Sequence, residues 1–242
     1  YYPDNDNFSY TADDLINFFE DKDISCLTVV NPDNPSGNYI PREDMLRLIR
    51  WTGERNIHMI ADESFVDFAD EENATLLQEE LLDEYPHLTV IKSISKSYGI
   101  PGLRLGIAAS GNKDRICLLK KEVAIWNINS LGEFYMQIEE KYRNDYAAAL
   151  VKVKAERERF AKALGEIPGI RVIPSQADYL MIELTGGHSA DQVTERLLNQ
   201  YHCLVKDLSS KLSADNRQFL RLAVRNQEED DVLVDALREV LV

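Results

Sequence analysis

Apolar residues along the chain alternate between two spacings. Leu15, Ile16, Phe18 and Phe19 recur at helical spacing, which predicts a helix from about Thr11. The short apolar run 24–30 predicts a buried strand. It stops at Asn31-Pro32-Asp33-Asn34-Pro35-Ser36-Gly37, where two prolines and a glycine impose a loop of restricted backbone freedom. Pro41 then opens a helix whose apolar face is Met45, Leu46, Leu48, Ile49 and Trp51, ending near Gly53. A strand at 57–61 runs into Asp62-Glu63-Ser64-Phe65. A helix at about 74–82, strands at 88–91 and 103–109, and a helix from about Lys113 follow.

Strands alternating with helices predict an α/β fold with a mostly parallel sheet. The pattern changes after Asn129. Residues 132–165 read as helix almost throughout. Short strands at 170–173, 179–183, 203–206 and 219–224, with helices at 190–200 and 228–241, then predict a smaller C-terminal α+β domain. The division expected is a large domain at residues 1–140, incomplete in its sheet, and a small domain at 141–242 that includes the long connecting helix.

With 242 residues, 44% of them hydrophobic, the chain can bury a sizeable core. A net charge of -15 argues against binding nucleic acid or an anionic membrane. No apolar run is long enough to span a bilayer and the start has no signal-peptide character, so the expected setting is cytoplasmic. Cys26, Cys117 and Cys203 are odd in number and set in apolar surroundings, and read as buried free thiols. The four histidines show no ligand spacing, so no metal site is expected.

The chemistry gathers at expected strand ends. Ser93, Ser95 and Lys96 follow one strand and Arg104 is expected on the next, which sets an amine beside hydroxyls and a guanidinium able to hold a phosphate. Taken singly, Lys96 is an ordinary loop lysine, Asp62 a helix N-cap and Asn34 a turn former. Together they match the needs of a pyridine ring that bears a phosphate, an aldehyde and a phenolate oxygen: a carboxylate for the ring nitrogen, a donor for the phenolate, a phosphate cup and a lysine.

The succession Asn-Pro-x-Asn-Pro-Ser-Gly, Asp-Glu-x-Phe and Ser-x-Ser-Lys, with an arginine eight residues beyond the lysine, resembles the pyridoxal-phosphate enzymes of aminotransferase class I and II (fold type I). The nearest branch is that of histidinol-phosphate aminotransferase and threonine-phosphate decarboxylase. Phe219-Leu220-Arg221-Leu222 is similar to the segment that carries the family's substrate-carboxylate arginine.

The resemblance implies pyridoxal 5'-phosphate as cofactor. Lys96 would form its Schiff base and shuttle the proton, and Asp62 would keep the ring nitrogen protonated. Asn34 would donate to the phenolate, while Ser93, Ser95 and Arg104 hold the phosphate and Arg221 clamps the substrate carboxylate. The implied activity is transfer of an amino group between an amino acid, free or phosphorylated, and a keto acid. The alternatives are decarboxylation of a phosphorylated amino acid, or a non-catalytic fragment of a larger multifunctional protein. Two departures accompany it. Phe65 stands where many members have a tyrosine, and the family's N-terminal phosphate-cupping turn and ring-stacking aromatic are not found, which implies an N-terminally shortened chain. Unpaired apolar edges then imply pairing with a second copy as a homodimer.

Overall fold

The computed structural model describes residues 1–212 and 216–241. Two four-stranded sheets organise them. In the first, β1 (Cys26–Val30), β2 (His58–Asp62) and β3 (Leu88–Lys92) are parallel neighbours, and β4 (Ile107–Ala109) adds antiparallel to β3. The parallel steps need crossovers, which α2 (Arg42–Glu54) and the stretch ending in α3 (Glu79–Glu84) supply. The core of this half joins Leu27, Val29, Met59, Ala61, Leu88 and Val90 to Leu48 and Ile49 of α2. Ahead of the sheet, α1 (Ala12–Phe19) starts at Thr11, whose side chain accepts from Asp14 N while the Asp14 carboxylate accepts from Thr11 N, a reciprocal cap of the first turn.

After β3 the chain makes a single helical turn, α4 (Ile94–Ser97), then β4, α5 (Lys113–Glu122) and α6 (Ser130–Ile138). The 3-10 segment Glu139–Tyr142 separates α6 from α7 (Arg143–Gly165), so the expected continuous helix is interrupted there. The sequence-based division at residue 140 falls in this interruption. The second sheet has order β5-β6-β8-β7, all antiparallel: β5 (Ile170–Ile173), β6 (Tyr179–Leu184), β8 (Phe219–Ala223) and the short β7 (Lys206–Asp207). Phe160 and Leu164 of α7, α8 (Ala190–Tyr201) and α9 (Gln227–Val240) cover one face of it. Phe8 packs on the other face with Ile173, Met181 and Phe219, so the N-terminal segment belongs by contact to the second sheet.

Several local expectations change for identifiable reasons. The helix expected at 74–82 forms only at Glu79–Glu84, because Thr75 and the Leu76 N–H both donate to the buried Glu63 carboxylate and hold that stretch out of a helix. The strand expected from Leu103 begins at Ile107: Pro101 starts a 3-10 turn, and the Ser95 hydroxyl takes both backbone groups of Leu105. The strand expected at 203–206 forms only at Lys206–Asp207. The cysteines are free but not buried: Cys26 and Cys117 are exposed and Cys203 half-buried. Cys26 takes an outward position at the start of β1, and Cys117 lies on α5, which buries none of its residues. Among the described residues no helix is long and apolar enough to cross a membrane, and no cluster of histidine, cysteine and acidic groups could hold a metal.

Candidate active site

The loop after β1 is pinned at its base. Buried Asn31 donates through Nδ2 to Ile40 O and accepts from Ile40 N through Oδ1, both at 2.8 Å. At the tip Gly37 has φ +77, and a Cβ there would run into the Ser175 side chain, so only glycine lets this loop meet the segment before β6. Gln176 N donates to Gly37 O at 2.9 Å and the Tyr179 hydroxyl to Asp33 O at 2.6 Å. Both Asn31–Pro32 and Asn34–Pro35 are cis. A loop held at both ends keeps Asn34 against the second sheet, where Arg221 Nη1 donates to Asn34 Oδ1 at 2.7 Å. With its oxygen engaged, the Asn34 amide has Nδ2 left to offer as a donor.

Asp62 ends β2 in register with Val30 of β1 and Ile91 of β3, at the carboxyl end of the parallel strands. Its Oδ1 accepts from Ser64 N at 2.9 Å and Ser64 Oγ at 2.5 Å, and Ser64 Oγ accepts from Ser93 N at 3.0 Å. Ser64 therefore ties the acid after β2 to the turn after β3. That turn presents Lys96, an exposed residue whose Nζ lies 4.2 Å from the centre of the Phe65 ring. Phe65 is buried and meets Tyr179 edge-on at 5.0 Å, and the Arg221 guanidinium lies 5.1 Å from the Tyr179 ring. Through Phe65, Tyr179 and Asn34 the structure brings Lys96 and Arg221 to one locus, although 125 positions separate them (221 − 96).

Lys92, four residues earlier, is occupied elsewhere. Its ammonium pairs with Asp67 at 2.6 Å, and the other Asp67 oxygen accepts from the Tyr146 hydroxyl at 2.6 Å. Two of the phosphate candidates are placed differently from the expectation. Ser95 is 1% exposed, donates to Leu105 O at 3.0 Å and accepts from Leu105 N at 2.8 Å, which uses its only proton. Arg104 is not on a strand. It sits in the left-handed region (φ 57) after the 3-10 turn, exposed, with Nη1 donating to Pro101 O at 3.2 Å. Ser93 stands at the N-cap of α4 with no capping bond from its side chain, so its hydroxyl is not committed to the helix end.

Sequence reasoning missed three contributors: Ser64 as the tie between two strand ends, Tyr179 as the wall between Phe65 and Arg221, and Asp178. Asp178 Oδ1 is sealed from solvent without a hydrogen-bond partner among the described residues. Burial pushes its carboxyl above the ordinary aspartate range, against the opposing pull of its own backbone N–H and of the Lys96 and Arg221 charges. The available signal was an acid just ahead of a strand buried at every position.

The aminotransferase class I and II family model matches residues 1–237, and the chain belongs to that family. Its relatives include members of the histidinol-phosphate aminotransferase and threonine-phosphate decarboxylase branch. The L-serine phosphate decarboxylase of Sulfurospirillum multivorans is 33% identical over 247 residues, covering 100% of this chain and 62% of that protein. The histidinol-phosphate aminotransferase of Ruminiclostridium cellulolyticum is 27% identical over 237 residues, covering 96% of this chain and 61% of that protein. The solved structure of a decarboxylase from Sulfurospirillum multivorans superposes with a TM-score of 0.89 at 33% identity, covering 100% of this chain and 69% of that one. The chain thus spans about three fifths of the length of these curated relatives. The family's cofactor is pyridoxal 5'-phosphate. The donor set fits its ring: a carboxylate anchored at a strand end, a free amide donor and an amine facing an aromatic wall.

Proposed function

We propose that this chain carries the site of a pyridoxal-phosphate enzyme that decarboxylates a phosphorylated α-amino acid. The observation that carries the site, for either reaction, is the Arg221–Asn34 contact, which sets a cation able to take a substrate carboxylate beside the donor meant for the cofactor. When bound, the cofactor supplies an electron sink for the charge that develops at the substrate's Cα. Asp62, held by Ser64, would keep a proton on the ring nitrogen. Asn34 Nδ2 would donate to the phenolate oxygen. Lys96 would offer the amine for the cofactor's aldehyde and the base that moves a proton at the substrate's Cα. Ser93 and Arg104 would hold the phosphate, with Ser95 bracing the loop that carries Arg104. Arg221 orients the substrate through its carboxylate.

Decarboxylation is supported by the Sulfurospirillum relative, named for phosphorylated serine and matched over the whole of this chain. Transamination with a keto acid is the second reading, supported by the histidinol-phosphate aminotransferase relative. The same residues serve both, since the reactions differ in which bond at Cα stands perpendicular to the ring. The test is to incubate the protein with pyridoxal phosphate and O-phospho-L-serine and to follow carbon dioxide with and without a keto acid. Release independent of keto acid supports decarboxylation. Amino transfer without carbon dioxide assigns the second reading, and neither product leaves the non-catalytic alternative.

Assembly is part of the proposal. Ile125 and Trp126 are 93% and 91% exposed, and with Leu131 and Phe134 they form an apolar stretch that a second copy of the chain would cover. The free, exposed thiols support a reducing, cytoplasmic setting.

A further inference from the structure

Asp178 has no part in the roles assigned so far, yet it directly precedes Tyr179, and the charges of Lys96 and Arg221 both act on its carboxyl. It immediately precedes β6, and its backbone carbonyl accepts from Val224 N at 2.8 Å, just beyond β8, so its position is set by the second sheet. The charged groups that act on its side chain come from two other elements, Lys96 of α4 and Arg221 of β8. The phenol of its neighbour Tyr179 is turned to Asp33 O. Asp178 makes no ion pair within 4.0 Å with either cation among the described residues, and one of its oxygens is buried without a partner. The residue as a whole is only half-buried. An unpaired, partly desolvated carboxylate is costly to retain, and the cost is offset only when a cationic donor approaches it.

We propose that Asp178 is a substrate-binding residue that receives the α-ammonium group of the amino acid, so that Arg221 and Asp178 together read the two opposite charges of a zwitterion. An α-amino acid bears both charges on one carbon. Its carboxylate is drawn to the guanidinium, which leaves the ammonium to the Asp178 carboxylate. The raised carboxyl pKa agrees with this placement, because a desolvated acid gains more from a cationic partner than a solvated one. A keto acid or hydroxy acid offers no such donor, and Asp178 would repel its charge. The residue therefore selects an amino acid over the deaminated compound of the same shape.

This inference rests on the cofactor-site reading, and the test separates the two. The protein and its Asp178→Asn and Asp178→Glu variants are first loaded with pyridoxal phosphate, and uptake is followed by absorbance. Binding of O-phospho-L-serine and of 3-phosphoglycerate, which carries a hydroxyl where the amino acid carries its ammonium, is then measured by rapid mixing before turnover. Asp178→Asn is expected to weaken phosphoserine binding roughly ten- to a hundredfold, as for loss of a charge-assisted hydrogen bond, and to leave phosphoglycerate unchanged or tighter. Asp178→Glu, which keeps the charge, should retain most of the preference. Equal weakening of both ligands in Asp178→Asn, or an unchanged preference in a variant that takes up cofactor normally, overturns the proposal alone. Failure of the unaltered protein to take up cofactor overturns the site reading and this inference with it.

Discussion

Arg221 Nη1 donates to Asn34 Oδ1 at 2.7 Å across 187 positions of sequence. The contact joins the loop after β1 to the middle of β8, and it orients both partners. Among the described residues the Asn34 nitrogen and the remaining guanidinium N–H groups make no hydrogen bond, which leaves them for a ring oxygen and a carboxylate.

Replacing Arg221 with glutamine should therefore remove a charge-assisted contact to substrate. At roughly 1.5 to 3 kcal/mol per contact, kcat/KM should fall by about 10- to 150-fold. Arg221→Lys should recover only part of this, because an ammonium cannot bind Asn34 and a carboxylate in the same planar fork. Steady-state kinetics on both variants is the check. A glutamine variant with unchanged kcat/KM would remove Arg221 from the substrate's path.

Lys96, not Lys92, should carry the cofactor. Lys92 is held by Asp67 at 2.6 Å, whereas Lys96 is exposed and faces Phe65. Borohydride reduction of the loaded protein followed by peptide mapping should label residue 96. Label on Lys92 would refute the assignment.

Asp62→Asn should depress turnover more than cofactor affinity. The amide oxygen can still accept from Ser64, which keeps the strand ends tied, but a neutral side chain no longer stabilises a protonated ring nitrogen when charge develops at Cα. Measuring cofactor Kd and kcat on the same preparation decides it. Normal turnover with weakened affinity would make Asp62 a positioning residue only.

Arg157 should contribute substantially to stability. It is 3% exposed and donates to Phe68 O at 2.6 Å, to Ala177 O at 3.4 Å and to Asp70 at 2.7 Å, tying the segment after β2 to α7 and to the approach to β6. Arg157→Ala leaves buried carbonyls unpaired, and the loss should be roughly 2 to 4 kcal/mol in urea unfolding. A change below about 0.5 kcal/mol would mean that water or neighbouring groups replace the guanidinium.

Asp230 should make stability fall with rising pH. Burial, reinforced by the Glu156 carboxylate, pushes its pKa up to about 7, although the Arg225 N–H and the Arg159 charge oppose this. An acid whose folded pKa is raised binds more protons folded than unfolded. Its contribution is complete below about pH 4 and is lost as pH rises through 7. Asp230→Asn should raise the melting temperature at pH 8 relative to the unaltered protein and make no such gain at pH 4. Equal shifts at both pH values would show that titration of Asp230 is not the cause.

The alternation of strands and helices, the rigid loop after β1 and the residue types Asn34, Asp62 and Lys96 were legible in the sequence. Each is a property of a short segment: apolar spacing sets which face is buried, and prolines restrict the backbone wherever they occur. Tertiary structure decided which of these side chains are free to act. The Ser95 hydroxyl is spent on Leu105, ten positions away, and Arg104 leaves the strand because that same hydroxyl takes Leu105 out of the ladder. Arg221 reaches Asn34, and Asp178 comes under the charge of Lys96, only because the second sheet packs against the strand ends of the first. Arg221 and Asn34 stand 187 positions apart and Asp178 and Lys96 stand 82 apart (178 − 96), and no local periodicity encodes which distant group will satisfy a given donor or charge.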